Sequence, residues 1–224
     1  MKKVIFIVIL LSLIAFGTGH ADEPKKYPGL ESSSRLQPQS SAPETLIFKK
    51  EGVNAKKYTK FLFDPVEIYQ GQDAGFGGVS LKDINAVADF MKSEFARVLH
   101  GKYAIVDKPG ADVLRIKLTL AGLETTIPAL AVVTRIIPVG LALNLGKSAV
   151  GMSGSFTGSV TFAGEFFDSE TNVLLYAFLT KRGPNAMDVT AVLAGLDAAK
   201  TSITEIAEKF IETVDRIQGV TNKR

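Results

Sequence analysis

Side chains able to do chemistry are few in this chain and rarely well spaced for it. Of two histidines, His20 lies in an apolar amino-terminal segment and His100 ends a run with helical periodicity. At a helix carboxyl end a cation or donor complements exposed carbonyls, which gives His100 a capping role rather than a catalytic one. Gly151-Met152-Ser153-Gly154-Ser155 resembles a nucleophile elbow but carries Ser155 where the final glycine belongs. The loop Gly75-Phe76-Gly77-Gly78-Val79-Ser80 follows a strand pattern and precedes a helix pattern, the setting in which backbone amides hold phosphate. It has no P-loop lysine, and Ser80 replaces the third glycine of a dinucleotide fingerprint. Gly75, Gly77, Gly78 and Ser80 are therefore a weak anion-loop candidate. Asp168, Glu170 and Asn172 gather oxygens in a turn, fewer than a calcium loop requires, so turn chemistry is the better reading. No catalytic, cofactor-binding or metal-ligating residue is assigned.

The chain has 224 residues, 46% of them hydrophobic, and no cysteine. That length supports one domain with appendages. Without cysteine there is no disulfide framework, disulfide-linked partner, thiol nucleophile or lipidated cysteine. Met1-Lys2-Lys3, the apolar run Val4–Phe16 and the small residues Gly19 and Ala21 before Asp22 form the three parts of a bacterial secretory signal peptide, cleaved after Ala21. The run is shorter than the roughly 20 residues that span a bilayer. Lys2 and Lys3 leave with the signal, taking 26 basic residues to 24 against 23 acidic, and the net charge from +3 to +1. Nucleic-acid binding thereby loses its compositional support.

Residues 22–44 contain four prolines and five serines and read as an extended leader, which Tyr27, Leu30 and Leu36 could pin to the domain. Strand patterns follow at 46–49 and 61–69, with Pro65 marking an edge or irregularity. Ser80 and Asp83 open a helix whose apolar face runs from Leu81 to Val98, and Gly101 stops it. Further strand patterns cover 103–106, 114–120, 156–166 and 173–180, and a helix pattern runs from Val189 to Ile217. This order predicts an α+β fold: a two-layer, mainly antiparallel sheet with two helices on one face. The domain spans 45–218, with a tail at 219–224.

An apolar stretch at 127–151 carries Arg135 and Lys147 as its only charges and is broken by Pro128, Pro138, Gly140 and Gly146. Such a run either packs over the core or forms a contact surface. As a contact surface its anchors are Leu130, Val133, Ile136, Ile137, Leu141 and Leu143.

Four segments occur in order: Tyr27-Pro28-Gly29-Leu30-Glu31-Ser32-Ser33-Ser34-Arg35-Leu36, then Phe63-Asp64-Pro65-Val66, then Pro109-Gly110-Ala111-Asp112-Val113-Leu114-Arg115, and Phe167 to Leu175. Together they resemble the bacterial domain-of-unknown-function 3313 family, mostly small exported lipoproteins. The resemblance implies an envelope location and brings no catalytic residues. The lipobox cysteine is missing, and Asn172 stands where a glycine is usual, a position asparagine tolerates. The expected function is that of an exported, periplasmic or outer-membrane-associated, non-catalytic binding or accessory protein of a Gram-negative envelope. Its partner is an envelope protein or a membrane surface, and no cofactor is implied. The rival is a small-ligand-binding protein or hydrolase built on Gly75–Ser80.

Overall fold

The computed structural model describes residues 27–40, 42–124, 159–183 and 196–220. It is α+β, with one mixed, largely antiparallel sheet and two long helices. The strands are β1 (Gln37–Gln39), β2 (Ala42–Lys49), β3 (Lys60–Phe63), β4 (Glu67–Ile68), β5 (Ala104–Ile105), β6 (Val113–Glu124), β7 (Ser159–Asp168) and β8 (Leu174–Arg182). The helices are α1 (Leu81–Leu99) and α2 (Asp197–Gln218). The strand order is β1-β2-β8-β7-β6-β3-β5, and β4 also pairs with β6.

The apolar–polar alternation of β6 turns Ile116, Leu118 and Leu120 toward the helices. Phe162 and Phe166 of β7 and Phe178 of β8 point the same way, into a core completed by Ile84, Val87, Met91 and Phe95 of α1 and Ile203, Ala207 and Val214 of α2. Phe166 stacks on Phe210 at 5.5 Å between centroids, and Phe95 meets Phe162 edge-on at 6.5 Å. Gly164 leaves the space that the Phe178 ring fills, since a Cβ there would lie 2.5 Å from Phe178 Cε1.

Local signals account for the helix ends. Ser80 Oγ accepts the Asp83 amide at 3.1 Å and caps α1. Gly101 (φ 79°) lets the chain leave the helix, and Gly219 (φ 74°) does so after α2, where Val220 N–H reaches Asp215 O.

The structure differs from the sequence expectation in two places. The single strand expected at 61–69 is two pieces, β3 and β4, interrupted at Asp64-Pro65-Val66; both run parallel to β6. Pro65 has no amide to donate, so the ladder breaks there. Part of the span expected as leader is folded. Residues 27–36 form successive turns, β1 and the start of β2 follow, and Tyr27, Leu30, Ser32 and Leu36 are buried. This strap lies on the sheet face opposite the helices, packed on Leu46, Ala121, Ala163, Phe167, Leu174, Ala177 and Leu179. The second face of the sheet is therefore covered too.

Candidate functional site

The polar residues of the outer sheet face form a connected seam beneath and beside the strap. On β6, Arg115, Lys117 and Thr119 alternate with the core residues and so share the strap's face. Arg115 meets Asp64 through Nε at 3.0 Å and Nη2 at 2.8 Å, donates from Nη1 to Asn172 Oδ1 at 2.8 Å, and lies over the Phe167 ring. The planar guanidinium suits this two-pronged grip on a carboxylate. Lys117, largely buried, lies 3.3 Å from Glu67 and 3.7 Å from Glu31 of the strap. Directly across the ladder from Lys117 is Glu165 of β7. Glu165 is fully buried, and its Oε1 accepts the Ser32 amide at 2.6 Å.

At the β7–β8 turn, Asp168 gathers five donors. Lys57 Nζ (2.7 Å) and Tyr58 OH (2.9 Å) bond Oδ2, while the Glu170 and Thr171 amides and the Thr171 hydroxyl bond Oδ1. The Lys57 ammonium and the Thr171 amide hold its carboxyl far below the usual carboxylate range, against the opposing effect of burial. Asn172 adopts φ 55° in the same turn. Oδ2 thus ties the 55–58 segment to the turn, while Oδ1 shapes the turn itself. Among the described residues no group of three or more His, Cys, Asp or Glu could hold a metal ion.

A second polar anchor ties the helix layer together. Asp215 of α2 accepts Lys102 Nζ at 2.8 Å and Tyr103 OH at 2.9 Å, and burial and then this bond push the Tyr103 hydroxyl up to about 12. On α1, Glu94 is held below its ordinary range by Arg97, which also approaches Glu208 of α2. These acids join segments rather than facing an opening together.

The anion-loop residues are placed as follows. Gly75 forms a parallel bridge to Gly122: its amide donates to Ala121 O at 2.9 Å and its carbonyl accepts Leu123 N–H at 2.8 Å. Gly78 turns the chain at φ 79°. Ser80 caps α1 and donates from Oγ to Asp83 Oδ2 at 2.8 Å, so an acidic group already occupies this helix end. Gly77 has open space around it. The loop thus extends the sheet and starts a helix. His100 is the residue that ends α1, its amide bonded to Ala96 O and Arg97 O. Leu130, Val133, Ile136, Ile137, Leu141, Leu143 and Ser153 lie outside the described residues.

The seam residues Lys117, Thr119 and Glu165 were missed as a site because alternation alone reads them as solvent-facing. The signal that could have found them is the spacing of Tyr27, Leu30 and Leu36 in an otherwise polar segment.

The four sequence segments quoted above converge here. Ser32 reaches Glu165, Asp64 and Asn172 meet at Arg115, and Ser169 Oγ bonds both the amide and the carbonyl of Gly110 at 3.0 Å. The family pattern described as "protein of unknown function (DUF3313)" matches residues 26–210, which take in all four. The chain belongs to the DUF3313 family. No curated protein sequence matches this DUF3313 member. Among solved structures it is similar to the PelC dodecamer from Paraburkholderia phytofirmans, with 8% identity, TM-score 0.36, and coverage of 80% of this chain and 99% of that one. It is also similar to a Xanthomonas campestris protein (10% identity, TM-score 0.38, 84% and 96% covered) and to a DUF4136 family protein from Bacteroides thetaiotaomicron (10%, 0.36, 84% and 99%). Likeness at this level carries nothing further about activity. Among the described residues no helix is long and apolar enough to cross a membrane.

Proposed function

We propose that this DUF3313 protein is exported to the bacterial cell envelope and acts there by binding another envelope component, without catalysis. Export rests on the three-part pattern of residues 1–21. The binding role rests on one observation about topology. β6 and β7 are antiparallel neighbours whose last pair is Glu124↔Ser159, braced by a bond from Ser159 Oγ to Glu124 Oε2 at 2.7 Å. Two residues suffice to close such a pair. Here residues 125–158 intervene, and most of them are the apolar stretch 127–151. The hairpin does not need them for closure, α1 and α2 cover one sheet face, and the strap covers the other. We take this stretch as a contact surface, since contiguous apolar surface usually marks one.

The polar seam fits the same reading, because Arg115 is paired with Asp64 and Lys117 with Glu31 and Glu67. The test is fractionation and co-purification of the full chain against a Leu130→Ser, Ile137→Ser, Leu141→Ser variant, with circular dichroism to establish that both are folded. The expected result is that the native chain associates with membranes or a co-purifying envelope protein and the variant does not. Identical behaviour of the two folded chains would reject the contact surface.

A further inference from the structure

At the strap and the sheet strands beneath it, three buried polar atoms have no partner among the described residues: Ser32 Oγ, Thr119 Oγ1 and Glu165 Oε2. All three residues are nearly or wholly inaccessible to solvent, at 0%, 3% and 0% exposure. The ladder fixes their neighbourhood. Lys117 pairs with Glu165 and Thr119 with Ala163, so Thr119 and Glu165 are diagonal neighbours on one face. Ser32 donates its amide to Glu165 Oε1, which sets Ser32 beside the same carboxyl group. Ala163, directly across the ladder from Thr119, presents only a methyl group to that face.

We propose that one water molecule is bound at this point, bridging the strap to the sheet through Ser32 Oγ, Thr119 Oγ1 and Glu165 Oε2. Buried hydroxyl and carboxyl oxygens are costly to leave unpaired, and none of these three has a hydrogen-bond partner among the described residues. A water has two donors and two acceptors and typically takes about three partners when buried. It can donate to Glu165 Oε2 and to one hydroxyl oxygen while accepting the proton of the other hydroxyl. A divalent cation fits less well: three oxygens fall short of the roughly six to eight that calcium takes, and the Lys117 chain stands directly across the ladder from Glu165. Through this water the strap gains a second polar attachment beside the Ser32 amide.

Two measurements on the folded protein test the site. A crystal structure at high resolution should show a density peak about 2.6–3.2 Å from each of the three oxygens. Oxygen-17 magnetic relaxation dispersion should show one fewer long-lived water in Thr119→Val than in the native protein, with Thr119→Ser retaining it. Ser32→Ala is a second variant for the same readout should Thr119→Val not fold. The proposal is overturned by a direct hydroxyl–carboxyl bond with no density between, by unchanged relaxation in the folded variants, or by an anomalous peak at this point after a rubidium soak, which would make the occupant a monovalent cation.

Discussion

Toward α1 and α2 the sheet presents Phe61, Phe162, Phe166 and Phe178, whereas toward the strap it presents one buried ring, Phe167, with Leu46, Leu174 and Leu179, the small Ala121, Ala163 and Ala177, and the polar Glu165 and Thr119. The contrast follows from what covers each face. A helix satisfies its own backbone groups, so the sheet beneath it can be wholly apolar and the large rings can fill the gap between layers. The strap is a chain of turns whose amides are not all used internally, so an irregular cover brings unpaired donors onto the sheet. Glu165 answers one of them by accepting the Ser32 amide at 2.6 Å. Small alanines let the strap lie close, and the buried acid is the consequence of using a strap at all.

If this contrast is right, damage to the two faces should differ in reach as well as size. Phe162 is fully buried between the sheet and α1, so Phe162→Ala should cost about 4 kcal/mol and lower the whole unfolding transition in urea. Leu36, also fully buried, belongs to the strap. Leu36→Ala should cost about 3 kcal/mol at that site, and its mark should be local. Amides of 27–36 should exchange faster with deuterium while the α1 and α2 amides keep their protection. Faster exchange spread evenly over both helices would show that the strap and the helix core unfold as one unit, and the contrast between the faces would fail.

How far this was readable beforehand depended on whether a partner was near in sequence. The helix over 81–99 was legible because Ser80, Asp83 and Gly101 sit beside it and its apolar face repeats every three or four residues. The β6 strand was legible by its strict alternation. By that alternation alone Lys117, Thr119 and Glu165 face outward, and nothing local announces a cover that comes from Glu31 and Ser32, far away in the chain. Pro65 signals an edge or an irregularity, but neither the split into two strands nor their parallel pairing with β6 follows from it, since register between distant strands leaves no periodic trace.

The turn at Asp168 fastens the 55–58 segment at the end of the β7–β8 hairpin. Asp168→Asn keeps the shape, removes the ion pair with Lys57 and weakens the bonds that the carboxylate accepts. About 2 kcal/mol of destabilisation at neutral pH is expected from loss of charge-assisted hydrogen bonds at a nearly buried acid. The folded pKa is depressed, so this contribution is present above the unfolded value near about 4 and is lost as pH falls from there through the folded value. Urea titrations of the two proteins should therefore converge as the pH is lowered below about 4. A gap that stays constant down to pH 2 would mean the site is held by shape and not by charge.

The smallest effect tests the helix side of the contrast at its rim. Ser80 Oγ satisfies the Asp83 amide, one of the donors a helix cannot satisfy internally, and in turn bonds the Asp83 carboxylate. Ser80→Ala should cost about 1 kcal/mol, Ser80→Gly less, and neither should alter exchange in the strap. The argument is one of distance: a cap acts within the first turn, and the fully buried Val87 and Met91 lie beyond it. If Ser80→Ala instead loosened residues 27–36, the Gly75 bridge to Gly122 would be the route, since Gly122 follows Ala121, which lies under the strap. The loop would then couple the two faces rather than merely begin a helix.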